Sequence, residues 1–231
     1  MAERVDCVTS ESRRRFRGNA ACIGRETLTP ERQGPYDRHM AEYVIQTRRF
    51  SRAEYDRLIE LGIFQPGEPI ELIGGQLMVA EPQGAYHYGA LRKTARAIEA
   101  AFGPGWDIRT QGPVALDDES EPEPDVAVVS GTLHDYLREH PARPALTVEI
   151  AESSLGLDRR HKGSLYARAG LDDYWIVNLI DRVLEVYREP IPDADAPFGW
   201  RYAGHEVLDL TMRVTPLAAP ASSIAVASLF P

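Results

Sequence analysis

The triplet Glu123-Pro124-Asp125 stands directly ahead of the apolar run Val126-Ala127-Val128-Val129. An aspartate there sits at the mouth of a buried strand, with the proline stiffening its entry. Further along, Leu146-Thr147-Val148-Glu149-Ile150-Ala151 reads as a second strand in which Glu149 is the one charge. A lone buried carboxylate is costly unless it is paired or ligates a metal. Two carboxylates at corresponding places on neighbouring strands can hold a divalent cation, with the Ile150 backbone carbonyl as a third oxygen ligand. Taken singly, Asp125 is more simply a turn cap and Glu149 a solvent-facing residue of an edge strand. Their combination, together with the helix that follows, points to a metal site.

That helix is expected from Leu157 to Ala169, after Glu152-Ser153-Ser154. It carries Asp158, Lys162 and Tyr166, spaced by four and therefore on one stripe that can face the carboxylates. Alone, Asp158 and Lys162 are an ordinary surface ion pair. Beside Asp125 and Glu149, Lys162 is a candidate for orienting water or steadying a phosphate oxygen in a transition state.

The elements that must position these residues are legible from Ser51 onward. Ser51 with Glu54 forms a capping box for a helix that Gly62 ends. Ile70–Ile73 and Gln76–Ala80 are apolar runs joined by Gly74-Gly75, a pair suited to a two-residue hairpin turn. Tyr86–Phe102 has Leu91, Ala95, Ile98 and Phe102 at helical spacing, with Gly103-Pro104 as the stop. Strands are expected at 106–111, 114–116, 126–130, 145–151, 174–179 and 183–187, with a short helix near 133–139. Asp181-Arg182 reads as a hairpin turn. Beyond Pro190 the chain is rich in Pro, Ala and Gly, with one weak strand at 206–210 and a tail, 224–230, packed on the body. The pattern is mixed α/β.

Residues 1–39 show no period of 3.6 or 2 and read as a disordered N-terminal arm, with residues 40–231 as the domain and Met40 as a plausible start. The arm holds eight Arg against six acids, a surplus of two positive charges, so the remainder carries −11 of a net −9. An acidic body argues against constitutive, metal-free grip on nucleic acid, but not against an enzyme whose carboxylates await a cation. Asp117, Asp118, Glu119, Glu121 and Glu123 read as a solvated loop, and Arg92, Lys93, Arg96, Arg159, Arg160 and Arg168 as compensating cations. Two cysteines, Cys7 and Cys22, exclude a disulfide scaffold and a cysteine-built zinc site. With no secretory signal and no apolar run near the roughly 18 residues of a membrane span, a cytoplasmic protein is expected. Phosphate-binding glycine loops, Gly-x-Ser-x-Gly and His-Glu-x-x-His are absent from the sequence.

The series Glu71-Leu72 before Gly74-Gly75, His87 opening a long helix, Pro124-Asp125-Val126 and Val148-Glu149-Ile150 continues with Asp158, Lys162, Tyr166, Gly170 and Tyr174-Trp175-Ile176-Val177. It resembles the Uma-two family of restriction-endonuclease-like proteins, with order and spacing matching from about Tyr43 to Tyr187. The resemblance implies the PD-(D/E)XK nuclease fold, a central mixed β-sheet flanked by helices that holds one or two magnesium ions. It implies a metal-dependent endonuclease hydrolysing phosphodiester bonds in DNA. Mg2+ would be the cofactor, with Mn2+ a substitute, and a homodimer is left open. Glu71 and His87 would support the site, Glu71 within reach of a second metal. Their simpler readings are a partly exposed strand residue and a structural histidine. The superfamily's Glu-x-Lys would place lysine at 151, where this chain has Ala151, so the basic role passes to Lys162. Relatives carry Ser where this chain has Glu152, whose carboxylate either joins the metal shell or, as favoured, caps the following helix. The competing class is a binding module for nucleic acid or protein that kept the fold and lost hydrolysis.

Overall fold

A computed structural model describes residues 47–80 and 82–231. The expectations for the arm, its cysteines and Met40 lie outside the described residues. Helix α1 (Arg52–Glu60) starts at the predicted capping box, in which the Ser51 hydroxyl accepts from the Glu54 amide and the Glu54 carboxylate accepts from the Ser51 amide. Strands β1 (Ile70–Ile73) and β2 (Gln76–Val79) form the predicted hairpin. Gly74 and Gly75 both take positive φ, 55° and 78°, as a turn matching the strand twist requires. Helix α2 (Ala85–Phe102) follows, then β3 (Trp106–Thr110), β4 (Val126–Ser130) and β5 (Leu146–Ala151). Strands β6 (Asp173–Asn178), β7 (Val183–Pro192) and β8 (Trp200–Leu208) complete a six-stranded sheet in the order β3-β4-β5-β6-β7-β8. Only β5 and β6 are parallel, so a helical crossover joins them.

Burial on both sheet faces explains why β4, β5 and β6 read as continuous apolar runs. Val126, Val128, Val148, Ile150, Trp175 and Val177 pack against Ala90, Leu91 and Ile98 of α2. Ala151, Tyr174 and Ile176, on the opposite face, meet Tyr166 and Ala167 from the crossover. The tail packs as predicted through Ile224, Val226, Leu229 and Phe230. Among the described residues, no helix is long and apolar enough to cross a membrane.

Four expectations need correction. The helix predicted from Leu157 is composite: α3 (Leu155–Leu157), a π-helical turn over Asp158–Lys162, and α4 (Gly163–Arg168). In the π turn the Gly163 amide donates to the Asp158 carbonyl, five residues back. Residues 114–116 are not a strand; their amides bond to the Pro122, Pro141 and Ser120 carbonyls, an irregular path that buries Val114 and Ala115. The helix near 133–139 is a single 3-10 turn, Leu133–Tyr136. Beyond Pro190 the chain does not lose regularity: β7 runs on to Pro192 and pairs with the nine-residue β8. Pro190 and Pro192 fit because they lie past the end of β6, where their missing N–H groups cost no ladder bond on that side.

The acidic segment is likewise not a free solvated loop. The Asp118 and Glu119 carbonyls accept from the Arg52 and Gly75 amides, and the Glu121 amide donates to the Leu72 carbonyl at 2.8 Å. Edge-strand backbone groups that need partners draw this segment inward. Glu121 ends up 4% exposed.

Candidate active site

Register places the two carboxylates. Val126 pairs with Val148 at the last rung between β4 and β5, so Asp125 and Glu149, one step beyond, stand opposite each other on the face turned to the crossover helix. The Asp125 amide lies 3.5 Å from Glu149 Oε2, and Asp125 Oδ2 accepts from the Ile150 amide at 2.8 Å. Strand residues turn N–H and C=O toward the same neighbour, so the Ile150 carbonyl also faces the Asp125 side. β5 is a central strand, which excludes the solvent-facing edge reading of Glu149.

Lys162 Nζ reaches from the π turn to 3.2 Å from Glu149 Oε1 and 3.2 Å from Glu71 Oε2. Glu71 Oε2 also accepts from the Glu123 amide at 3.2 Å. The Tyr166 hydroxyl donates to Glu149 Oε1 at 2.6 Å. Asp158 accepts from the Ser154 hydroxyl at 2.6 Å, and its backbone carbonyl accepts from the Tyr174 hydroxyl at 3.1 Å. His87, in the first turn of α2, brings Nε2 to 3.3 Å from Asp125 Oδ2, but without hydrogen-bond alignment, so that nitrogen is buried and unpartnered. Asp125, Glu149, Lys162, Glu71, His87 and Asp158 thus line one cavity of about 300 Å3, and Tyr166 supports Glu149 from behind its wall.

Asp125, Glu149, Asp158 and Glu71 are all buried and face a single ammonium. Burial pushes Glu149 up to about 8, because the opposing pull of Lys162 does not cancel desolvation and repulsion from Asp158, Asp125 and Glu71. Burial likewise raises Asp158 to about 6 and lifts Asp125 above the ordinary carboxylate range. Burial works to lower Lys162, but Glu149 and then Glu71 outweigh it and hold the ammonium protonated. The cluster has a surplus of negative charge that a further cation would neutralise.

One predicted role fails. Glu152 is exposed at the cavity rim, and the position preceding α3 is Ser154, so Glu152 is not the helix cap. Of the six candidate compensating cations, Arg159 pairs with Glu185 through bonds of 2.9 and 2.6 Å and Arg168 pairs with Asp117, while Arg92, Lys93, Arg96 and Arg160 are exposed. Sequence reasoning also missed Gln83 and Gln111, whose Nε2 atoms lie 3.3 and 3.4 Å from Asp125 Oδ1. Gln111 holds φ at 50°, an uncommon conformation for a residue with a side chain, and donates to Gln83 Oε1 at 2.8 Å. Gln83 lies outside every predicted element, and Gln111 ends the strand expected at 106–111, where nothing in its residue type marks a functional role.

A mixed sheet with acids at adjoining strand ends and a lysine brought in by the crossover helix defines a restriction-endonuclease-like fold. The chain belongs to the Uma2 family, described as "Putative restriction endonuclease", whose model matches residues 52–227. Among solved structures it is similar to "a putative nuclease belonging to DUF820" from Anabaena variabilis ATCC 29413. The TM-score is 0.57 at 19% identity, over 75% of this chain and 96% of that one. A search of curated proteins finds no match.

Proposed function

We propose that the chain is a metal-dependent endonuclease that hydrolyses phosphodiester bonds in DNA. The observation that carries this reading is the opposition of Asp125 and Glu149 across β4 and β5, with Lys162 Nζ 3.2 Å from Glu149. The donor set fits a hard cation: two carboxylates and the Ile150 carbonyl, all oxygen, with the negative surplus described above. Mg2+ keeps several waters and needs few protein ligands, which suits so small a donor set; among the described residues, no three His, Cys, Asp or Glu form a ready-made ligand group. Bound there, Mg2+ or Mn2+ would supply an attacking water of lowered pKa and an electrophile for the phosphoryl oxygens.

The protein's own groups do the rest. Tyr166 fixes Glu149 Oε1 and leaves Oε2 turned toward Asp125. The Ile150 amide holds Asp125 Oδ2, and the two glutamines flank Oδ1. Glu71 steadies the Lys162 ammonium, which can donate to a phosphoryl oxygen as charge develops and the P–O ester bond breaks. Ser154 and Tyr174 anchor the π turn at Asp158.

Ala151, in place of the superfamily's lysine, favours a second reading, a module that binds without cutting. Calorimetric titration of Mg2+ and Mn2+ together with a plasmid-nicking assay tests both. Metal binding with nicking, both lost in Glu149→Gln, supports the nuclease. Metal binding with no cleavage of plasmid or of a single-stranded oligonucleotide leaves the module, and no metal binding removes the proposed site.

A further inference from the structure

The cavity holding the carboxylates has two chemically different walls. One is formed by Asp125, Glu149, Asp158 and Lys162. The other is apolar and comes from the β1–β2 hairpin. Glu71 and Met78 are register partners, and partners in an antiparallel pair point to the same face. Met78 therefore faces the cavity beside Glu71, as do Ile73 and Ala80, while Ile70, Leu72 and Leu77 point away into a small core with Tyr55 and Phe64. Leu157 closes the apolar side from the crossover.

The acidic wall is deep. Asp125, Glu149 and Asp158 are only 6%, 3% and 2% exposed. A phosphate on an intact duplex lies on a convex backbone whose sugars and stacked bases hold it out of such a recess. Lowering a phosphate to these groups brings its nucleoside into the cavity, which requires an unstacked base, at a few kcal/mol for a paired one and little for an unpaired one. The apolar wall beside the acids is the surface such a base would cover. The net charge of −9 also works against a tight grip on a long duplex through its phosphates.

We propose, resting on the nuclease reading above, that the substrate is a DNA strand with an unpaired nucleotide at the scissile phosphate, its base lying against Met78, Ile73 and Ala80. A single strand or a bulged duplex qualifies; a perfect duplex does not.

The test compares cleavage of a labelled single-stranded oligonucleotide, its perfect duplex, and the same duplex with one unpaired nucleotide, in Mg2+ and in Mn2+. The full-length chain should cut the two unpaired substrates faster than the duplex by about tenfold or more. Met78→Gln, similar in shape but polar, should shrink that margin severalfold while the calorimetric heat of Mg2+ binding stays unchanged. Met78→Leu should keep the margin, and Leu157→Gln on the opposite side gives an independent variant should Met78→Gln not fold. Equal cleavage of all three substrates, or an equal slowing of all three by Met78→Gln, overturns this proposal and leaves the nuclease standing. Metal binding without cleavage of any substrate overturns the nuclease reading itself, and this one with it.

Discussion

Asp125 and Glu149 face each other one step past the last rung joining β4 to β5, with the Asp125 amide 3.5 Å from Glu149 Oε2. Where they sit follows from the register: the ladder ends at Val126 and Val148, and the next residue on each strand is an acid. Pro124, lacking an N–H, helps end the ladder there.

Glu149→Gln removes charge and keeps shape. The amide oxygen can still accept from Tyr166 and Lys162, so the metal-free protein should stay within about 1 kcal/mol of wild type. Metal should then no longer raise the melting temperature, whereas wild type at 100 times its dissociation constant should gain about 2.7 kcal/mol. Thermal melts with and without Mg2+ check this, and an undiminished metal-dependent shift in the variant would place Glu149 outside the ligand shell.

Lys162→Met tests the ammonium. Turnover should fall on the order of 10² to 10³, the loss seen when one preorganised donor is removed. Because Glu71 and Glu149 lose their buried partner, stability should also fall by about 3 kcal/mol near pH 9. The deficit should shrink toward pH 6: Glu149 already titrates high, at about 8, and without the ammonium it takes up a proton more readily. Cleavage rates on a single-stranded oligonucleotide and melts at the two pH values decide, and equal turnover would reduce Lys162 to a structural counter-ion.

Much of this arrangement was readable in the sequence because local chemistry and tertiary placement agree. Gly74-Gly75 has one good use between two apolar runs, and it is used that way. β4, β5 and β6 announce themselves because central strands are apolar on both faces. β8 does not: Arg201, His205, Glu206 and Val207 are exposed on an edge strand, so burial imposes no alternation for the eye to find. The spacing of four from Asp158 to Lys162 to Tyr166 signals a shared face but cannot separate an α turn from the π turn that Asp158–Lys162 adopts. Gln111 stands opposite Asp125 one step past the β3–β4 ladder, its amide donating to the Asp125 carbonyl at 3.1 Å, whereas Gln83 meets Asp125 only through the approach of a distant segment, which no local signal encodes.

Gly74→Ala should disturb the hairpin that carries Glu71. The position requires positive φ, and an added Cβ would run into the Phe198 ring. A loss of about 1 to 3 kcal/mol is expected. Gly62→Ala has positive φ but open space around it, so its loss should be smaller. Denaturant melts of the pair separate backbone strain from the clash, and equal losses would mean that Phe198 moves aside freely.

Glu121 supplies a pH test outside the site. Burial pushes its carboxyl up to about 7, with repulsion from Asp56 adding to the rise and Arg52 opposing it. Arg52 Nε and His140 Nε2 lie no nearer than 4.0 and 3.9 Å, so neither repays the desolvation. A carboxyl whose folded value exceeds its unfolded one binds more protons in the native state. Its contribution therefore favours folding at low pH and declines as pH rises from about 4.5 to about 7. Glu121→Gln should flatten that part of the stability profile and raise stability at pH 8 on the order of 2 kcal/mol, while changing little at pH 4. Urea denaturation across this pH range measures both effects. An unchanged slope between pH 4.5 and 7 would mean that Glu121 reaches water or a closer cation in the folded protein.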